Sequence, residues 1–592
     1  MKKIYYTLIL IIALVSTIQY CTPTGGKHNT NQAYHNTMYV YLDSIQATLT
    51  SLAHQASTMQ PLAALQQQLL QARLYYKHIE PILEYYYQGF TKRLNGPALP
   101  DVKLDDNQVW PPAGFQVLEQ YLYNPYNNST GKLLIQEIKI LQTDLKFCKA
   151  DFASITVLPA HLPELLQHTC IRLATIGITG ADAPLSKLSI PEAAATVLSI
   201  QQLSAIAAVP YNPIFLHATA YLTAHASFDD FDRLTYISKY LIPISNHIAA
   251  YIPITISITN KPFVGTLQQL LQHSSYNADA YLAYSNGISN SYKVQLGKKL
   301  FYETKLSQLN NISCATCHNP KLYFTDGLTK AKNFVHGGSL ARNTPTLLYA
   351  ALQNNQFYDM RSPYLEDQVH QVIINANEFN FSTHNIAKLC TTDTAYTALF
   401  AKAFTLKDTI SSYQIRNAIS SYVRTLMPFN SAFDQYWQGN ATALSVQQQQ
   451  GFNLFAGKAK CATCHFIPLF NGTVPPWYNK TENEIIGVPS TIQWTNATID
   501  PDAGRYNYNQ LQELQYAFKT PTVRNVARTA PYMHNGVYNT LQEVVQFYHK
   551  GGGVGIGITL PYQSLPFDSL QLNQAEQLAI VSFMQSLTDS IP

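Results

Sequence analysis

The chain has 592 residues, 46% of them apolar, which is enough to bury several cores. Only 12% are charged, about half the usual share, and 39 basic against 35 acidic residues leave a net charge of +4. That balance excludes a basic nucleic-acid binder and an acidic disordered chain, and eight cysteines at this length are not a disulfide scaffold.

In chain order, residues 1–21 read as a secretory signal. Lys2 and Lys3 precede an apolar run from Tyr5 to Ile18, shorter than the roughly 20 residues a spanning helix needs. Cys21 follows at once, where a bacterial lipoprotein carries its lipid-modified cysteine. Tyr20 departs from that pattern, which favours a small residue there. A lipid anchor at Cys21 and an incidental cysteine near a cleavage site both stay open. Either reading exports the chain to the periplasm.

Residues 31–280 read as a helical N-terminal domain. Leu62, Leu65, Leu69, Ala72, Tyr76 and Ile79 recur at spacings of three and four, the mark of one helix face. Pro61 opens that helix and Pro81 is expected to bend or end it. Cys148 and Cys170 either pair or stay as buried thiols. No metal or nucleophile constellation occurs here. The region loosely resembles helical modules fused to exported haem proteins, and imelysin-like bundles, and neither likeness assigns chemistry. The polar stretch from His273 to Ser291 is the expected linker.

The remaining half is again mostly helical, with loops rich in Gly and Pro. Ser445 with Gln448, and Asn573 with Glu576, have the spacing of capping boxes. The last helix should bury Ile580, Phe583, Met584 and Leu587. The strongest signal is Cys314-Ala-Thr-Cys317-His318, repeated as Cys461-Ala-Thr-Cys464-His465. Cys-x-x-Cys-His is the attachment signature of c-type haem. Two thiols one turn apart add to the two vinyl groups of one porphyrin, and the adjacent histidine is the axial iron ligand. Zinc would call for further Cys or His at finger spacing, and a thiol-redox motif would not need His twice. The expectation is two covalently bound haem c groups, with His318 and His465 as proximal ligands. Leu296-Gly-Lys-Lys-Leu-Phe301 and Gly451-Phe-Asn-Leu-Phe455 precede the two motifs and match each other, which suggests an internal duplication. The fold class is therefore mainly α: two cytochrome-c-like haem domains, 293–440 and 441–592, preceded by a helical-bundle domain.

Further motifs surround these signatures: Phe324-Thr-Asp-Gly327, Arg342-Asn-Thr-Pro-Thr346, Phe357-Tyr-Asp-Met-Arg361, Leu365-Glu-Asp-Gln368 with Glu378, Asn430-Ser-Ala-Phe-Asp434, Phe518-Lys-Thr-Pro-Thr-Val-Arg-Asn525 and Ala530-Pro-Tyr-Met-His-Asn-Gly536. With them the chain from about Lys293 onward resembles the bacterial dihaem cytochrome c peroxidase and MauG family.

The resemblance implies that haem 1, on His318, is the peroxide site, with Gln368 and Glu378 on its distal face. The chemistry needs such a carboxylate, because a base must take a proton from hydrogen peroxide and return it to the departing oxygen. His336 resembles a histidine that caps the peroxide iron in resting relatives. For haem 2, on His465, Tyr548 stands at the family's sixth-ligand position, with Met533 as the alternative. His534 is expected to reach a haem propionate. Tyr358 stands where the family often has tryptophan between the haems, and is the expected electron-transfer residue. Asn343, Thr529 and Pro531 would surround a calcium ion.

The function implied is a dihaem peroxidase that reduces hydrogen peroxide to water, with electrons from a small c-type cytochrome or cupredoxin and no nucleic-acid partner. The alternatives are a MauG-like oxidase that modifies a protein partner, and a non-enzymatic dihaem electron carrier.

Overall fold

The computed structural model describes residues 30–103, 108–254, 261–404, 409–565 and 568–591. The signal segment and Cys21 lie outside the described residues. The chain is mostly helical, with two short two-stranded sheets.

The N-terminal module is built on long antiparallel helices. Helix α1 (Thr30–Ser57) packs along α2 (Leu62–Tyr86), and α3 (Asn128–Phe152), α4 (Leu162–Arg172) and α5 (Ser189–Ile206) complete the bundle. The three-four stripe of α2 forms as the sequence predicts: Leu65, Leu69, Ala72, Tyr76 and Ile79 are buried. Pro81 does not end the helix, which continues through it to Tyr86. The proline ring is itself buried beside Ile82 and Leu83, so tertiary packing outweighs the lost backbone hydrogen bond. Cys148 and Cys170 are both buried and unpaired. Between α2 and α3, strands β1 (Asp101–Lys103) and β2 (Gln108–Trp110) pair antiparallel.

In the second half, the matched segments open two equivalent helix crossings. Helix α6 (Ser291–Phe301) crosses α9 (Ser412–Val423), and α10 (Val446–Phe455) crosses α12 (Gln574–Ser586). Each crossing is set by a glycine. A Cβ on Gly297 would lie 1.8 Å from Ala418 O, and one on Gly451 would lie 2.0 Å from Ala579 O. The shared glycine lets each helix pair meet backbone to backbone. Between the crossings, α7 (Cys314–Cys317) carries the first motif, and α8 (Leu365–Ile374) precedes the Glu378 turn. Helix α11 (Leu541–His549) carries Tyr548. Strands β3 (Asn483–Ile485) and β4 (Ala517–Lys519) pair antiparallel beside the second motif. The capping boxes at Ser445/Gln448 and Asn573/Glu576 both form, and Ile580, Phe583, Met584 and Leu587 are buried.

The N-terminal module shares one hydrophobic core with the second haem region and with Phe301, Phe324 and Tyr349 of the first, while Leu296, Phe400 and Ile419 belong to a separate core. The expected linker is docked. His273 Nε2 lies 2.7 Å from Asp434 Oδ1, and its ring stacks on Phe429 at 4.0 Å. Arg524 bonds the same carboxylate, with both partners fully buried. The start of the stretch is therefore tied down by paired groups, while Tyr284 to Asn286 and Ile288 stay exposed.

Candidate dihaem centre

The first motif is shaped by its own caps. Ser313 and Thr316 form a capping box that starts the short helix α7, with both thiols on it, and the His318 amide closes the turn onto Cys314 O at 2.8 Å. The chain then turns back through Tyr323 and Phe324, both at positive φ, so that Phe324 O meets His318 Nδ1 at 3.0 Å. A proton on Nδ1, donated to that carbonyl, leaves Nε2 with a lone pair for a metal. Burial holds the His318 pKa below its ordinary value, so the ring is neutral.

The second motif repeats this logic. His465 Nδ1 lies 3.0 Å from Pro521 O and 3.3 Å from Phe470 O, and burial lowers its pKa to about 4. All four motif cysteines are unpaired, so their thiols are available for thioether bonds.

Cys317, His318, Cys461, Cys464 and His465 line a single cavity of about 1490 Å³. Gln368 and Glu378 line the same cavity, as do Tyr358, Tyr548, Met533 and His534. Glu378 sits in the turn after α8. Asn375 Nδ2 donates to Glu378 Oε1 at 2.6 Å. Burial raises the Glu378 pKa, against the opposing Asn375 bond and the Arg361 charge. Burial raises the pKa of the Cys314 and Cys317 thiols, with a smaller contribution from the Glu378 charge. Tyr548 has the equivalent relation to the second motif. Burial raises the phenol well above its usual value, with further contributions from Cys464, Cys461 and Glu484. Met533 and Tyr548 pack against one small core around Tyr538 and Phe547.

Tyr358 bridges the two halves. Its hydroxyl donates to Asn343 Oδ1 at 3.3 Å, and its carbonyl accepts from the Lys519 amide at 2.7 Å. His534 Nε2 lies 3.2 Å from Asp500 Oδ1, and its ring stacks on Phe518 at 3.8 Å. His336 is exposed on its loop and is not among the residues that line the cavity. Asn343, Thr529 and Pro531 do line it. The Asn343 amide donates to Leu328 O at 2.7 Å, and Thr529 Oγ1 to Val526 O at 3.4 Å. Among the described residues, no group of three or more His, Cys, Asp or Glu side chains is placed to hold a metal ion.

Three features of the site were not anticipated from sequence. Glu484, on β3, lines the same cavity as Cys464 and Ser564, and burial raises its pKa to about 7. Lys519, on β4, is lowered by burial to about 8 although Asp359 opposes that, and its Nζ donates to Asn355 O at 3.1 Å. The N-terminal module also supplies part of the cavity wall, including Lys92, Arg93, Trp110 and Arg172.

Residues 291–442 match the family described as di-haem cytochrome c peroxidase. The methylamine utilization protein MauG of Methylorubrum extorquens is 32% identical over 295 residues, covering 50% of this chain and 78% of that protein. This chain belongs to the di-haem cytochrome c peroxidase and MauG family. The cytochrome-c peroxidase IdrP2 of Denitromonas iodatirespirans is 31% identical over 318 residues, 50% of this chain and 82% of that one. The cytochrome c551 peroxidase of Nitrosomonas europaea is 32% identical over 305 residues, 51% of this chain and 82% of that one.

A di-haem family member carries two haem c groups, and the residues of this chain fit them. Each motif offers two unpaired thiols and a neutral imidazole oriented through Nδ1, and both open on a cavity large enough for flat macrocycles.

Proposed function

We propose that the protein is a periplasmic dihaem peroxidase that reduces hydrogen peroxide to water with electrons from a small c-type cytochrome or cupredoxin. The observation that carries this reading is the carboxylate of Glu378, in the wall of the cavity that Cys317 and His318 also line. An electron carrier needs no such acid. When bound at the first motif, haem supplies the iron at which peroxide is held and reduced.

The chain's own residues do the proton work. Glu378 takes a proton from the near oxygen of peroxide and returns it to the departing oxygen. Its raised pKa makes the anion a stronger base for the first half and keeps more of the group protonated for the second. Gln368 orients the peroxide through its amide. His318 and His465 are the proximal ligands, held in one tautomer by their carbonyl partners. His336, exposed on its loop, takes no part in these proton steps. Tyr358 carries electrons between the halves. His534, in the same cavity wall, would bond a haem propionate. A calcium ion would be held by Asn343, Thr529 and Pro531, with Asn343 Oδ1 also accepting from Tyr358.

One observation favours a MauG-like oxidase that acts on a protein partner: Tyr548 lines the cavity together with both thiols of the second motif. A phenolate ligand stabilises ferric iron and lowers the potential, where methionine at Met533 would raise it. Lipidation at Cys21 and export rest on the N-terminal segment. No described helix is long and apolar enough to cross a membrane.

Steady-state assays separate the readings. Peroxide-dependent oxidation of a reduced small c-type cytochrome is expected of the peroxidase. Peroxide consumption with covalent change in a partner protein, and no cytochrome oxidation, would favour the oxidase. Neither activity in a fully loaded protein would leave the carrier.

A further inference from the structure

We infer that Trp477, Tyr85 and Tyr86 form an electron relay from the wall of the haem cavity to the surface of the N-terminal module. The inference rests on the dihaem reading above and deepens it, by naming the route between the second haem and an outside reductant. Trp477 lines the cavity together with Cys464 and His465. Its ring centroid is 5.5 Å from that of Tyr85, and Tyr85 is 5.1 Å from Tyr86. Trp477 Nε1 donates to Glu84 O at 3.2 Å, which pins the indole to α2 beside both tyrosines. At the outer end, Tyr86 adjoins His161, and residues 158–160 next to it are exposed.

Packing alone does not explain the polar partners of these rings. Each phenol has its own proton acceptor. Tyr85 OH donates to Glu164 Oε2 at 2.9 Å, and Tyr86 OH lies 3.0 Å from His161 Nδ1. A tyrosine that loses an electron becomes a strong acid, so its proton must leave in the same step. Burial raises both phenols, Tyr86 to about 12, so both are protonated at rest. Burial alone would raise Glu164, but its bond from Lys261 and the nearby His168 hold it below the ordinary value, so it is an open carboxylate. Lys261 also stands over the Trp477 ring at 5.2 Å. Its charge disfavours a cation on the indole, so the electron vacancy crosses Trp477 and rests on the tyrosines.

The balance is simple. Reducing hydrogen peroxide to two waters consumes two electrons and two protons. For each electron passed inward, Tyr85 or Tyr86 becomes a neutral phenoxyl radical and its proton moves to Glu164 or His161. A one-electron reductant at the surface restores the phenol, and the proton returns.

The test needs no peroxide. A ruthenium polypyridyl photosensitiser is attached through Ala160→Cys to the holoprotein with its second haem reduced. A flash with an external quencher then makes an oxidant at the surface, and absorbance follows oxidation of that haem. Trp477→Phe and Tyr85→Phe are expected to slow that step by about tenfold or more, because phenylalanine is too hard to oxidise. The same label at Leu309→Cys, an exposed site in the first haem region, is expected to give a rate that neither variant changes. An unchanged rate from Ala160→Cys in both variants would overturn the relay, and so would equal slowing from both labels. Peroxide turnover, measured separately, decides the peroxidase reading by itself.

Discussion

Asn375 and Glu378 share a 2.6 Å hydrogen bond across the turn that follows α8, so the carboxylate in the cavity wall is aimed by its own loop. That bond lowers the Glu378 pKa, while burial raises it and wins. The base must be ionised to accept a proton, so activity falls on the acid side of its pKa. The acid limb of the peroxide kcat/KM profile is therefore expected above the ordinary glutamate value of about 4.3. In Asn375→Ala the limb should move to still higher pH, because one stabilising bond to the anion is gone. A limb that stays in place would remove Asn375 from the account.

The two helix crossings make a stability prediction. Gly297→Ala and Gly451→Ala each put a Cβ against a carbonyl oxygen that belongs to the facing helix. Neither backbone can give way without parting the helices. Each substitution should cost about 1–3 kcal/mol or more, read from denaturant midpoints. Similar costs at both sites would fit a duplicated unit.

Asp434 ties the linker to the second haem region through His273 and Arg524. Burial alone would raise its pKa, but the Arg524 charge and the His273 bond hold it far below the usual range. A depressed carboxylate contributes stability that is full above the unfolded value of about 4 and is lost as pH falls below it. Asp434→Asn leaves the Arg524 charge buried without its partner, and should cost about 3–5 kcal/mol at neutral pH. Thermal melts of the variant should also show a weaker acid dependence than wild type.

Much of this was legible in the sequence where function depends on local spacing. The Cys-x-x-Cys-His signatures, the capping box at Asn573 and the α2 stripe are all set by residues within two turns of each other. What the sequence hid depends on distant segments meeting. Glu484 and Cys464 line one cavity although no local pattern joins them. Pro81 reads as a helix end, yet Ile82 and Leu83 are buried and carry the helix onward. The stretch from His273 reads as a solvated linker, yet His273 and Tyr281 find partners more than a hundred residues away. The share of the cavity wall that the N-terminal module supplies follows from a common core that no local pattern announces.

The sixth ligand of the second haem has a spectroscopic answer. With Tyr548 in place, the oxidised holoprotein should lack the methionine-to-iron charge-transfer band at the red end of the spectrum. Met533→Leu should leave the spectrum unchanged, and Tyr548→Met should raise the haem 2 potential. A methionine band in wild type that Met533→Leu abolishes would reverse the assignment.

The most direct measurement is hydrogen peroxide turnover by the fully haem-loaded protein with a reduced small c-type cytochrome, wild type against Glu378→Gln. Glutamine keeps the shape and removes the base, so a loss of about 10²- to 10⁴-fold in kcat/KM is expected with both haem spectra intact. Equal turnover in the two proteins would contradict the account.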